Sequence, residues 1–211
     1  NLGSEDGANY LLQVSAPSAD SNIDGVRQFI QPVNYFVLTG GGLITTQQFD
    51  YANDVTESDD KFAYLTPNVQ GFQAGLSYTP DIEGPGSPTT TRSVNGVGQI
   101  NDNSHDQGWE LAARYEGDFK KLGVNLGAGY THVSESDNAG AGVDDFEEWN
   151  IGADFDWGPF GLGAVYTENN GGNDNNGQDE SETWVLGADY STGPFKFGGS
   201  YYTNDDNTGI R

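Results

Sequence analysis

The sequence predicts an all-β chain, a transmembrane antiparallel up-and-down β-barrel. Three observations carry this expectation. Eight stretches alternate large apolar residues with small or polar ones, short and long connections take turns between them, and the face opposite the apolar one holds almost nothing that a dry core would accept.

Residues 1 to about 58 come first and lack sustained alternation. They hold a semi-apolar run from Tyr10 to Val14, Pro17, Pro32, the apolar patch Tyr35 to Leu38, a Gly40-Gly41-Gly42 break and an acidic close from Asp50 to Asp60. So long a segment without pattern, inside a tightly built chain, points to function rather than connection. Strands are predicted after it at 61–66, 72–79, 109–116, 124–132, 147–157, 160–168, 182–190 and 195–203. The clearest sets Trp109, Leu111, Ala113 and Tyr115 against Glu110, Ala112, Arg114 and Glu116. The next two set Val124, Leu126, Ala128 and Tyr130 against Asn125, Gly127, Gly129 and Thr131, then Trp149, Ile151, Ala153, Phe155 and Trp157 against Glu148, Asn150, Gly152, Asp154 and Asp156. A β-sandwich that buries its greasy face against a second sheet would look the same over any one strand.

The connections separate the two. Those at 67–71, 117–123, 158–159 and 191–194 are short, whereas 80–108, 133–146 and 169–181 are long, acidic and rich in Gly and Asn. In an up-and-down sheet all short turns then fall on one rim and all long loops on the other, which is the habit of outer-membrane barrels. A hairpin repeat agrees: Gly152-Ala153-Asp154-Phe155 leads through Gly158-Pro159-Phe160, as Gly187-Ala188-Asp189-Tyr190 leads through Gly193-Pro194-Phe195. Trp109, Tyr115, Tyr130, Trp149, Trp157, Tyr166, Trp184, Tyr190 and Tyr201 lie near strand ends, as two aromatic girdles require.

Composition narrows the function. Lys and Arg number 8 against 32 Asp and Glu, a net charge of −24, which argues against a nucleic-acid partner. With no cysteine, disulfide frameworks and thiolate metal sites are excluded. The start at Asn1 and the end at Arg211, without a terminal aromatic, give the expectation of an internal piece of a longer chain. His105 and His132 stand apart with no nucleophile motif beside them, and no G-x-S-x-G, H-E-x-x-H or Walker loop occurs, so the chain is not read as an enzyme and no cofactor is expected.

The stretches Leu2-Gly3-Ser4-Glu5-Asp6-Gly7-Ala8-Asn9-Tyr10-Leu11, with Ala16-Pro17 following, and Phe62-Ala63-Tyr64-Leu65-Thr66-Pro67 to Gly71-Phe72-Gln73-Ala74-Gly75-Leu76-Ser77-Tyr78-Thr79-Pro80-Asp81 resemble the general-diffusion porins of Gram-negative bacteria, most closely the alphaproteobacterial type. The resemblance implies a homotrimer of 16-stranded barrels in the outer membrane, among lipid and lipopolysaccharide, through which small hydrophilic solutes and ions diffuse passively. It implies that the whole of 1–211 is barrel segment, with Leu2 to Ser4 ending the fifth strand, 5–58 an in-folded constriction loop and 61–203 four hairpins, about eight strands of the barrel. The chain lacks the Pro-Glu-Phe-Gly-Gly loop motif of the enteric branch, so eyelet residues do not transfer one for one. Two other readings stay open: a structural or adhesive barrel without an open pore, and a secreted acidic β-sandwich binding sugar or calcium.

A constriction that filters hydrophilic solutes needs fixed charge in a narrow wet space. In 5–58 the candidates are Glu5, Asp6, Asp20, Asp24 and Arg27, with Asp50 and Asp54 nearer the exit, the acids Asp20 and Asp24 leading. Arg114, on the polar face of its strand, is the best basic wall candidate, ahead of Lys61 and Lys196. Polar-face glycines Gly127, Gly129, Gly152, Gly163, Gly187 and Gly198 are expected to leave room for water. For Ca²⁺ the candidates are Asp144, Asp145, Glu147 and Glu148, or Asp174, Asp179, Glu180 and Glu182, although neither set fits an EF-hand.

Overall fold

The computed structural model describes residues 1–17, 51–56, 59–82, 105–137, 139, 142–172 and 180–205, with the backbone of four further short strands. In chain order the elements are β1 (Leu2–Ser4), α1 (Ala8–Leu12), β2 (Phe36–Thr39), β3 (Gly42–Thr45), β4 (Asp60–Leu65), β5 (Phe72–Thr79), β6 (Arg92–Ser93), β7 (Gln99–Ile100), β8 (His105–Phe119), β9 (Leu122–Glu135), β10 (Phe146–Trp157), β11 (Phe160–Asn169), β12 (Ser181–Thr192) and β13 (Phe195–Asp205). Nine of them form one antiparallel sheet in the order β1-β4-β5-β8-β9-β10-β11-β12-β13, each strand beside its sequence neighbour in that sheet. β2 with β3, and β6 with β7, are separate two-stranded hairpins.

All eight strands expected from alternation are present, and Leu2–Ser4 adds a ninth by pairing with β4. The short connections tie Trp157 directly opposite Phe160 and Thr192 opposite Phe195. Each of these two turns opens on a glycine at positive φ, Gly158 at 60° and Gly193 at 55°, followed by proline. A left-handed first residue suits the right-handed twist of the flanking strands, and proline fixes the second at its preferred φ. The repeated Gly-Pro corner is therefore a hairpin device.

The sheet has two unlike faces. On the outer one Leu111, Ile151, Leu162, Leu186 and Phe197 are between 51% and 64% exposed, and Trp109, Leu126, Tyr130 and Phe155 are also open. Tyr115 is only half-buried, because Phe72 and Phe119 share that face with it at ring distances of 4.6 and 6.2 Å. An apolar surface of this extent marks contact with lipid or with another protein rather than with water. No second large sheet covers it among the described residues, which removes the sandwich reading.

Aromatic rings gather at the two ends of the outer face. Toward the long connections Tyr78 meets Trp109 at 4.2 Å, and Tyr166 meets Trp149 at 5.0 Å and Trp184 at 4.5 Å. Toward the short turns Phe160 meets Tyr190 at 5.0 Å, alongside the Phe72, Tyr115 and Phe119 group. These are the two girdles anticipated from strand-end aromatics.

Candidate functional site

The inner face of the sheet is polar, and chain segments lie on it. Immediately after β1 the chain turns over this face and forms α1, whose Ala8, Asn9 and Leu12 are buried. Its N-cap is Gly7, which offers no side-chain acceptor. The wall supplies what is missing: Ala8 N–H donates to Ser77 Oγ at 3.0 Å and Asn9 N–H donates to Glu110 Oε2 at 3.0 Å. Two of the four orphan donors of the helix start are thus satisfied by strands β5 and β8, and Glu110 sets its carboxylate where the exposed N–H groups favour an anion.

From α1 the chain runs across the strands rather than along them. Leu12 lies against Gly75 of β5, Asn9 against Gly129 of β9, Val14 against Gly127 of β9 and Gly152 of β10, and Pro17 against Gly163 of β11 and Gly187 of β12. Of the glycines expected to leave room for water, Gly127, Gly129, Gly152, Gly163 and Gly187 are covered by residues 9–17, whereas Gly198 is exposed. The Asn9 side chain is pinned at both ends, donating through Nδ2 to Thr131 Oγ1 at 2.9 Å and accepting at Oδ1 from Asn150 Nδ2 at 2.5 Å.

Residues 51–56 return over the same face, one row nearer the long-loop rim. Tyr51 packs with Ala16, Val165 and Val185, and its hydroxyl accepts the Ala16 N–H at 3.1 Å. Gln13 binds the returning chain twice, donating to the Tyr51 carbonyl at 2.6 Å and accepting from Asn53 N–H at 2.9 Å. Val55 enters a buried cluster with Ile82, Val133 and Phe146. Thr56 then closes the circuit: its hydroxyl donates to Glu110 Oε1 at 2.6 Å and accepts from Lys61 Nζ at 2.7 Å. Both ends of the 5–58 segment are therefore fastened to one carboxylate on the wall.

Of the residues singled out from the sequence, Asp20, Asp24, Arg27 and Asp50 lie outside the described residues. Glu5 is exposed and Asp6 half-buried at the start of the seated segment. Arg114 sits on the inner face opposite Gly127, on the short-turn side of that segment, with Nη2 at 3.8 Å from Glu116 Oε2. Lys61 is buried against Thr56, and Lys196 pairs with Asp189 at 3.2 Å.

Of the calcium candidates, Asp145 and Glu147 lie at opposite nitrogens of the His132 ring, at 4.0 and 3.8 Å. Glu147 and Glu148 are adjacent strand residues and so point to opposite faces, Glu148 buried inside and Glu147 at 3.8 Å from His132 Nδ1. Asp145 accepts Glu135 N–H at 2.7 Å. Among the described residues no group of three or more His, Asp or Glu is arranged to hold a metal ion; Asp174 and Asp179 fall outside them. Glu110, Ser77, Thr56 and the glycine strip were not singled out as seat-forming, and their signal was a row of glycines recurring on the polar face of consecutive strands.

A family model described as Gram-negative porin matches residues 1–211. Among curated proteins, an uncharacterized protein of Rickettsia typhi is 44% identical over 41 residues, covering 19% of this chain and 9% of that protein. Another, from Rickettsia conorii, is 38% identical over 52 residues, 25% of this chain and 11% of that protein. The aligned stretches thus span no more than 11% of the length of these relatives. A solved porin structure is similar at 15% identity with a TM-score of 0.42, over 97% of this chain and 71% of that one. With its whole length matched by the family model, the chain belongs to the Gram-negative porins.

Proposed function

We propose that this porin forms a water-filled pore in the bacterial outer membrane, through which small hydrophilic solutes and ions diffuse passively without turnover or cofactor. The observation that carries the reading is the division of the sheet: an uncovered apolar outer face against a polar inner face crossed by a fastened segment. A surface apolar outside and polar inside suits lipid on one side and water on the other. Segment 5–58 is the constriction, since its ends are tied to the inner wall and its charged residues then stand in the path of solutes. The net charge of −24 favours cations over anions.

Assembly follows the family: a homotrimer whose acidic outer loops meet the lipopolysaccharide layer, with the outer face of the strands against lipid or neighbouring subunits. The test is reconstitution of the full-length protein in planar bilayers. Stepwise conductance is expected, with a reversal potential in a salt gradient of the sign that marks cation preference. Absence of conductance would favour an occluded structural barrel, and anion preference would overturn the charge argument while leaving the pore intact.

A further inference from the structure

Glycine weakens a strand interior, so five glycines on the polar face of four neighbouring strands require a compensating contact. Gly127 and Gly129 of β9, Gly152 of β10, Gly163 of β11 and Gly187 of β12 form one strip, with Gly127 opposite Gly152 and Gly163 opposite Gly187. A Cβ on Gly127 would stand 2.7 Å from Val14 Cγ2 and on Gly152 3.0 Å from the Val14 carbonyl, while on Gly163 it would stand 2.5 Å from the Ala153 carbonyl oxygen of the neighbouring strand as well as 2.9 Å from Pro17 Cδ. On Gly129 and Gly187 it would collide with Asn9 Oδ1 and the Pro17 carbonyl oxygen. Gly199 of β13, which pairs with Ala188 and so lies on the outer face, has nothing within 4 Å of such an atom. The strip is occupied along its length, and the occupant is independently pinned by the hydrogen bonds of Asn9 to Thr131 and Asn150.

We propose that this strip is a seat that sets how close residues 9–17 lie to the wall, and thereby the free width of the pore. Size selection then resides in wall glycines as well as in the charged residues of the loop. The proposal rests on the reading of segment 5–58 as the constriction. Real Cβ atoms do not approach other heavy atoms within 3.0 Å, so a methyl at Gly127 is expected to push Val14 off the wall, with the Leu12 carbonyl at 3.3 Å and Val14 N at 3.4 Å also crowding it, whereas trimming Val14 removes the colliding Cγ2 atom.

The experiment uses the full-length protein carrying Asn9→Cys and Thr131→Cys, side chains bonded at 2.9 Å in this structure and placed in a sequence without native cysteine. Disulfide yield reads whether the segment is seated, and liposome swelling with sugars of increasing size, on the protein without the added cysteines, reads the pore. Gly127→Ala is expected to lose the crosslink and lower the size limit, Val14→Ala combined with it to restore both, and Gly199→Ala to change neither. Val14→Leu enlarges the seated side chain and leaves the wall sequence unaltered, so it is expected to lower the size limit even if Gly127→Ala fails to fold. Folding of Gly127→Ala only when Val14→Ala is present would itself support the seat. An unchanged crosslink in Gly127→Ala, or no rescue by Val14→Ala, overturns the seat. A crosslink lost and rescued with an unaltered size limit overturns the pore-narrowing reading, and with it the claim on pore width.

Discussion

Glu110 accepts from three donors at once: Asn9 N–H at 3.0 Å, Ser77 Oγ at 3.1 Å and Thr56 Oγ1 at 2.6 Å. It is 1% exposed, so its charge is tolerated only because those donors and the Lys61 ammonium beyond Thr56 surround it. Removing the carboxylate strands the α1 N-terminus and takes from the buried Lys61 ammonium one of the acids around it, which also include Asp54, Asp59 and Asp6. Glu110→Ala is expected to destabilise the folded protein by about 3 kcal/mol, since it leaves the buried donors of Asn9, Ser77 and Thr56 without their charged acceptor. Glu110→Gln keeps an acceptor and is expected to cost about 1–2 kcal/mol. Denaturant unfolding of protein in lipid vesicles checks both; equal losses would mean that charge contributes nothing beyond hydrogen bonding. Alternation marked Glu110 as a polar-face residue but could not assign it this role, because its partners come from positions 9, 56 and 77.

At the scale of elements, strands were legible and their limits were not. Alternation predicts 109–116, while β8 runs from His105 to Phe119, because backbone pairing such as Asp118 with Gly123 continues after the apolar rhythm stops. α1 left no readable signal: five residues are too few to show a helical period, and the caps of its first N–H groups come from the wall instead of from its own N-cap. The hairpin corners, by contrast, were written out as Gly-Pro, and their positive φ makes a test. Gly158→Ala and Gly193→Ala should each cost about 1 kcal/mol, read as a shift in unfolding midpoint, since alanine pays for a left-handed conformation that glycine adopts freely. The outer face tests the membrane assignment itself. Leu111 is 55% exposed near the middle of β8, so Leu111→Arg should cost about 2–4 kcal/mol in a lipid bilayer. In a surface facing water the same change would be nearly neutral, and a neutral result would count against lipid on that face.

For the whole molecule, the architecture was readable because the period of a strand and the alternation of loop lengths are properties of the chain alone. The fastened segment was readable only in outline. Its apolar content required burial, but which wall positions would receive it depended on registers that bring Gly127, Gly152, Gly163 and Gly187 into one strip. Those anchors bear on the acids proposed for the constriction. Pro17 is buried on the inner wall over Gly163 and Gly187, and Asp20 follows it by three residues and Asp24 by seven. An extended chain advances at most about 3.6 Å per residue, so three residues reach at most about 11 Å and seven at most about 25 Å. The chain also rejoins the same place, since the Tyr51 hydroxyl accepts the Ala16 N–H. Asp174 and Asp179 fall in the sequence between β11 and β12, and charge exposed to bulk solvent is screened by salt within about 8–10 Å. Charge on a low-dielectric wall acts on a passing ion more strongly than charge on an outer loop in open water. Asp20→Asn with Asp24→Asn should therefore lower cation selectivity, read as a smaller reversal potential in a salt gradient, by more than Asp174→Asn with Asp179→Asn. Both pairs remove the same formal charge, so a common global effect predicts equal shifts, and equal shifts would refute the placement of Asp20 and Asp24 in the constriction.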